Sequence, residues 1–398
     1  MTYLSERVLQ IEEPQTIGMS RKSRELKAKG IDVISLSLGE PDFATPDFIK
    51  EAAKKAIDED YSHYPPVAGF QELREAIVTK LQRDNDLTYQ PNQILVSTGA
   101  KQSLINVILS LINPGDEVII PAPYWVSYFE QVRFAGGIPI VVETTMETGF
   151  KMTPEQLKEN LSDRTKLLIY SSPCNPSGAV YSDQELSSLA KVLRDHPDIL
   201  VISDEIYELI NYGKGHASMA AQEGMFDRTI TINGLSKGFA MTGYRLGYMA
   251  GPADLIRACD TLQGQFTSGS NSITQIAAIT AMKAEVSQLS YMIDAFHRRR
   301  DLALSLLKEI EGLVTPTPDG AFYLFPNVKN FLGKRYGDRV METSTDLCEY
   351  LLEVGHVATV PGDAFGIGDH IRLSYAASED QIREAITRIK KALQNLES

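Results

Sequence analysis

Between residues 93 and 250, short runs rich in β-branched residues alternate with segments of helical periodicity, and this alternation constrains the fold more than any other feature. QILVSTG, DEVIIPAP, IPIVVET, TKLLIYSSP, ILVISDEIY and RTITINGLS read as buried strands, with KQSLINVILSLI as a helix between the first two. Strands and helices in alternation predict an α/β fold, a mostly parallel central sheet flanked by helices. Residues 47–60 and 71–83 carry apolar residues at helical spacing ahead of it. After GYMAGP the pattern changes. Residues 273–312 read as one kinked helix or two, and AFYLFPNV, HVATVPGDAF and HIRLSYAAS read as short strands of an α+β part. The expected division is a large domain at 47–285 and a smaller one from 1–46 with 286–398.

Composition narrows the function. With 398 residues and 43% hydrophobic content, the chain can bury a full core without disulfide or metal staples. Lys plus Arg number 39 against 52 Asp plus Glu, a net charge of -13 that repels a phosphate backbone, so nucleic acid is not an expected partner. No apolar run reaches the length of about 18 residues that a membrane helix needs. Cys174, Cys259 and Cys348 are far apart, and the start of the chain shows no basic, then apolar, export pattern. Reduced thiols in the cytoplasm are therefore expected. Six scattered histidines without HExxH give no zinc signature, and no metal is expected.

Four polar clusters fall at predicted strand ends, where open α/β sheets bind ligands. Ser97-Thr98-Gly99-Ala100-Lys101 opens a helix whose free amides suit a phosphate, although it also reads as a plain strand-to-helix turn. Asn175 lies between Pro173 and Pro176, held rigidly or simply in an Asn-Pro turn. Asp204 ends a buried strand and needs a cationic partner or solvent, unless it only caps a helix. Lys237 sits among Gly234, Gly238, Gly243 and Gly247, glycines that permit close backbone approach, with Ser236 and Arg245 as anion donors nearby. Its bland reading is an exposed loop lysine. Together these supply what pyridoxal 5'-phosphate requires: a lysine for the aldehyde, an acid for the ring nitrogen, a donor to the ring oxygen and a phosphate cradle. Tyr207 adds a second donor to that oxygen, and Trp125 a ring to stack on it.

The segments SLGEPDFATP, YPPVAGFQELREAI, PYWVSY, SPCNPSGAVY, SDEIYE, GLSKGFAMTGYRLG and IRLSYA, in this order and spacing, resemble the class I aminotransferases of fold type I, closest to the bacterial aspartate aminotransferase subgroup (Ib). The resemblance spans nearly the whole chain. It implies transfer of the amino group of L-aspartate to 2-oxoglutarate, with amino acids and 2-oxo acids as the small-molecule partners. It makes Lys237 the lysine that joins the cofactor and Asp204 the partner of the ring nitrogen. Asn175 and Tyr207 meet the ring oxygen, Trp125 stacks, and Ala100, Lys101, Ser236 and Arg245 surround the phosphate. Arg372 grips the substrate α-carboxylate with the Gly39 backbone nearby. Tyr64 reaches the phosphate of a neighbouring subunit, implying a homodimer with shared sites. Two departures stand out. Many relatives carry serine at the position of Gly234, and Glu12 and Glu13 stand where prephenate-using members place a lysine, which weighs against prephenate.

The same cofactor residues would serve an aromatic or alanine aminotransferase or a carbon–sulfur β-lyase. Gly234 to Gly238 also fits the GxSxG elbow of a serine hydrolase, with Ser236 as nucleophile and His297, His356 and His370 downstream. The glycines that follow are a poor start for the helix such an elbow requires. A DNA-binding regulator built on this fold would need a further module ahead of the core, for which the acidic chain offers no segment.

Overall fold

The computed structural model describes residues 3–213 and 215–397. Its centre is a seven-stranded sheet of β1 (Ile94–Ser97), β2 (Glu117–Ala122), β3 (Ile138–Glu143), β4 (Thr165–Ser171), β5 (Leu200–Asp204), β6 (Thr229–Gly234) and β7 (Gly247–Ala250). They lie in the order β1-β7-β6-β5-β4-β2-β3. β7 runs antiparallel to both neighbours, and the remaining pairs are parallel. This is the mostly parallel α/β sheet expected. The inner strands β2, β4, β5 and β6 are buried almost throughout, because helices cover both faces and leave no wet side.

Register brings the polar strand ends together. Ser171 pairs with Asp204, Asp204 with Ile232, and Gly247 with both Ser97 and Gly234. The predicted helices at 47–60 and 71–83 form as α2 (Asp47–Asp58) and α3 (Gln71–Asn85), after α1 (Gln15–Ala28). The region 273–312 is two helices, Ser272–Met282 and Ser290–Leu307, parted by a short 3-10 turn at Val286–Leu289.

Toward the C-terminus, Val360–Pro361, Ile371–Ser374 and Tyr323–Leu324 form a small antiparallel sheet. Ile34–Ser35 pairs in parallel with Val357–Ala358, and the Ser374 amide donates to the Leu36 carbonyl at 2.8 Å. The N-terminal segment is thus stitched to the last third of the chain. No helix among the described residues is long and apolar enough to cross a membrane. The three cysteines are buried and unbridged.

β7 lies against the start of α4 (Ala100–Leu111), so a Cβ at Gly247 would collide with the Ala100 backbone nitrogen. A Cβ at Gly234 would come within 2.9 Å of the Gly247 Cα and the Leu246 carbonyl. Glycine at 234 thus leaves room for the β7 backbone opposite it. Gly247→Ala is expected to lower stability by about 1–3 kcal/mol through overpacking. A denaturant midpoint equal to the parent's would show that the two backbones are not held this close.

Candidate active site

A cavity of about 450 Å³ opens at the aligned strand ends. Its wall includes Gly39, Ala100, Lys101, Trp125, Asn175, Asp204, Tyr207, Ser236, Lys237, Arg245 and Arg372. These are eleven of the twelve site residues expected from sequence. Tyr64 is the exception: it is 96% exposed and lies outside this cavity.

Asp204 terminates β5 and is 4% exposed. Tyr128 donates its hydroxyl to Oδ2 at 2.6 Å, and the Ile206 amide donates to Oδ1 at 3.2 Å. Burial pushes the carboxyl up to about 6, against the pull of these hydrogen bonds and of Lys237. Behind it, the loop is anchored by partnered acids. Glu205 accepts from Ser203, Ser218 and His216, and Glu208 pairs with Lys80 and accepts from Asn85 at 3.0 Å. Removing one partner of so buried a pair leaves an uncompensated charge, so this network fixes where Asp204 and Tyr207 point.

Lys237 follows β6 in a stretch of turns, and its ammonium donates to the Gly39 carbonyl. Burial, then Arg372 and Arg245, lowers its amine to about 8, with Glu40 and Asp204 opposing. Tyr207 and Tyr323 share a hydrogen bond at 2.6 Å between their hydroxyls. Arg245 takes a left-handed backbone and donates to the Thr242 carbonyl at 3.0 Å, while Gly99 caps α4 beside its guanidinium. A Cβ at Gly99 would stand 2.6 Å from the Arg245 Nη2, so the glycine keeps this helix start open to an anion.

Arg372 is 2% exposed. It donates to Asn175 Oδ1 at 2.8 Å and to the Ser37 carbonyl at 2.6 Å, and its guanidinium lies 4.5 Å from the Tyr323 ring centre. Its Nε has no partner, and no carboxylate pairs with it among the described residues. The cavity wall carries five basic side chains, Arg24, Lys101, Lys237, Arg245 and Arg372, against two carboxylates, Glu40 and Asp204. In an acidic protein this is a local excess of positive charge, suited to an anionic ligand.

The residues fit pyridoxal phosphate. A buried carboxylate and a half-buried amine line the same cavity, and a helix start with an arginine offers an anion cradle. Trp125 packs edge-to-face on Tyr128 at 5.5 Å, and the Lys101 ammonium lies 4.8 Å from its ring centre. Sequence reasoning overlooked Tyr128, although it lies in the quoted PYWVSY, and Tyr323, which a short strand delivers from the other end of the chain. It also missed Thr16, Ser20 and Arg24 of α1, all on the cavity wall. The hydrolase alternative finds no support. No histidine among the described residues lines the cavity, and Ser236 leads into turns rather than the helix an elbow requires.

The family profile for aminotransferase class I and II matches residues 31–389. This chain belongs to that aminotransferase family. An aspartate/prephenate aminotransferase of Cereibacter sphaeroides is 47% identical over 98% of both chains. The solved aspartate aminotransferase of Rhizobium meliloti is 40% identical, covers all of both chains and superposes with a TM-score of 0.96. That of Thermus thermophilus with maleate is 39% identical over 98% of this chain and 100% of the other, with a TM-score of 0.93. As a class I aminotransferase the chain is a pyridoxal-phosphate enzyme of fold type I.

The lowered Lys237 amine has a kinetic consequence for this aminotransferase. Only the neutral amine attacks an aldehyde, and burial favours that form. Capture of pyridoxal phosphate by the cofactor-free protein should therefore accelerate through about pH 8. Stopped-flow absorbance against pH checks this; a rise centred near the ordinary lysine value of 10.5 would contradict it.

Proposed function

We propose that the protein is an aspartate aminotransferase, carrying the amino group of L-aspartate to 2-oxoglutarate and yielding oxaloacetate and L-glutamate. The observation that carries this reading is Arg372, a buried cation without a carboxylate partner, set in a cavity where basic groups outnumber acids. Substrates with two carboxylates suit such a wall. The names of the relatives and the maleate in the Thermus thermophilus structure agree with it.

Bound here, pyridoxal phosphate supplies an aldehyde for the amino group and a ring that withdraws electrons from Cα. The chain does the rest. Lys237 Nζ would hold the cofactor and would serve as the base for the substrate Cα proton, its lowered pKa favouring the neutral amine near neutrality. Asp204 would keep a proton on the ring nitrogen and is itself steadied by Tyr128. Tyr207 and the amide nitrogen of Asn175 would be the donors to the ring oxygen, Asn175 Oδ1 being taken by Arg372. Trp125 walls the ring. Ala100, Lys101, Ser236 and Arg245 receive the phosphate. Arg372 fixes the α-carboxylate near the Gly39 backbone, which sets the direction of the Cα–H bond.

The exposed ring of Tyr64 fits a role in a partner subunit's site, so a cytoplasmic homodimer with shared sites is part of the proposal. The large domain at 47–285 and the small one from 1–46 with 286–398 would then meet at the cavity. Prephenate stays outside the reading. Glu12 and Glu13 stand where the resemblance sets a lysine in prephenate-using members, and they line a neighbouring cleft together with Lys101.

Lys237→Ala is expected to keep the far-ultraviolet spectrum while losing turnover and borohydride-fixable cofactor. Turnover at the parental rate would remove Lys237 from the chemistry. Asp204→Ala should cut kcat by about 10²–10³, as loss of one preorganised charge does; an unchanged kcat would contradict its role. Arg372→Ala should raise KM for aspartate and 2-oxoglutarate by about 100-fold, as expected for losing two charged hydrogen bonds. Unchanged KM values would undo that assignment.

A further inference from the structure

Helix α1 presents two different faces. Met19 and Ser23 are buried, whereas Thr16, Ser20 and Arg24, at four-residue spacing, all line the cavity. Such residues stack along one side of a helix, here over about 12 Å of axis. The stripe is polar and ends in a guanidinium. Of the other basic side chains of the helix, Arg21 pairs with Glu13 and Glu25, Lys22 pairs with Glu349, and Lys27 does not line the cavity. Arg24 has no ion pair, hydrogen bond or ring contact among the described residues, although Glu25 is its neighbour in sequence. Lys101, across the cavity, lies over the Trp125 ring.

A cation that lines a ligand cavity, with no partner of the protein's own among the described residues, is available to an anionic group of the ligand. In the proposed reaction Arg372 and the phosphate cradle take one carboxylate and the cofactor phosphate. The second carboxylate of a four- or five-carbon amino or oxo acid remains. We propose that Arg24 is a specificity-determining residue that reads this distal carboxylate and so favours dicarboxylic over monocarboxylic substrates. The inference rests on the aminotransferase reading given above. Because Arg24 is exposed, its contribution belongs at the lower end for a charged hydrogen bond, about tenfold in affinity.

The test compares the pyridoxal-phosphate-loaded parent with Arg24→Gln and Arg24→Lys. KM and kcat are measured for aspartate and alanine, and binding of the unreactive acids succinate and propionate is read from the cofactor's absorbance. Arg24→Gln should raise KM for aspartate and weaken succinate by about tenfold, with kcat little changed and alanine and propionate unaffected. Arg24→Lys should recover most of the loss. Parallel changes for aspartate and alanine, or no change for either, would overturn the assignment and leave the aminotransferase reading intact. A parent that turns over neither amino acid would overturn both.

Discussion

The site depends on a single buried guanidinium. Arg372 reaches from a C-terminal strand to the Ser37 carbonyl and to Asn175, which follows β4 in the central sheet. Three distant stretches of chain are therefore positioned by one planar donor. Burying that charge without a counter-ion is costly, and the cost is met by two short hydrogen bonds and by the faces of Tyr323 and Phe365. What remains unsatisfied, the Nε and the net charge, is the part directed at a carboxylate. Packing and recognition are here the same arrangement.

Asp204 and Lys237 show the same economy. Burial drives the acid and the amine toward their neutral forms, the acid up to about 6 and the amine down to about 8. Each is then trimmed by neighbours: Tyr128 holds the acid toward its charged form, and Arg372 and Arg245 push the amine further down. Two groups that would be inert at neutral pH on the surface are brought within reach of proton exchange.

Much of this was legible in the sequence, for a physical reason. β4, β5 and β6 are continuous apolar runs, so their ends announce themselves, and Asn175, Asp204 and Lys237 stand at or just past those ends. Arg372 was readable only through a motif, since nothing in IRLSYA says that its guanidinium crosses to Asn175. Tyr128 and Tyr323 were not legible, because a tyrosine within a helix or strand looks like any core residue until its hydroxyl partner is known. The stripe of Thr16, Ser20 and Arg24 was hidden by a helix whose apolar periodicity is weak. Tyr64 was anticipated from resemblance alone, and it lies outside the cavity of its own chain.

The bond from Arg372 to the Ser37 carbonyl spans nearly the full length of the polypeptide. The central sheet, the lysine and the anion cradle all lie before the end of β7 at Ala250 and so leave the ribosome before the last segment is made. The carboxylate anchor cannot exist until residues 357–374 have emerged and paired with the strand made first. Order of synthesis therefore places the substrate anchor last, and the core beneath Tyr207 and Leu235 is closed only when Phe322 and Tyr323 join it.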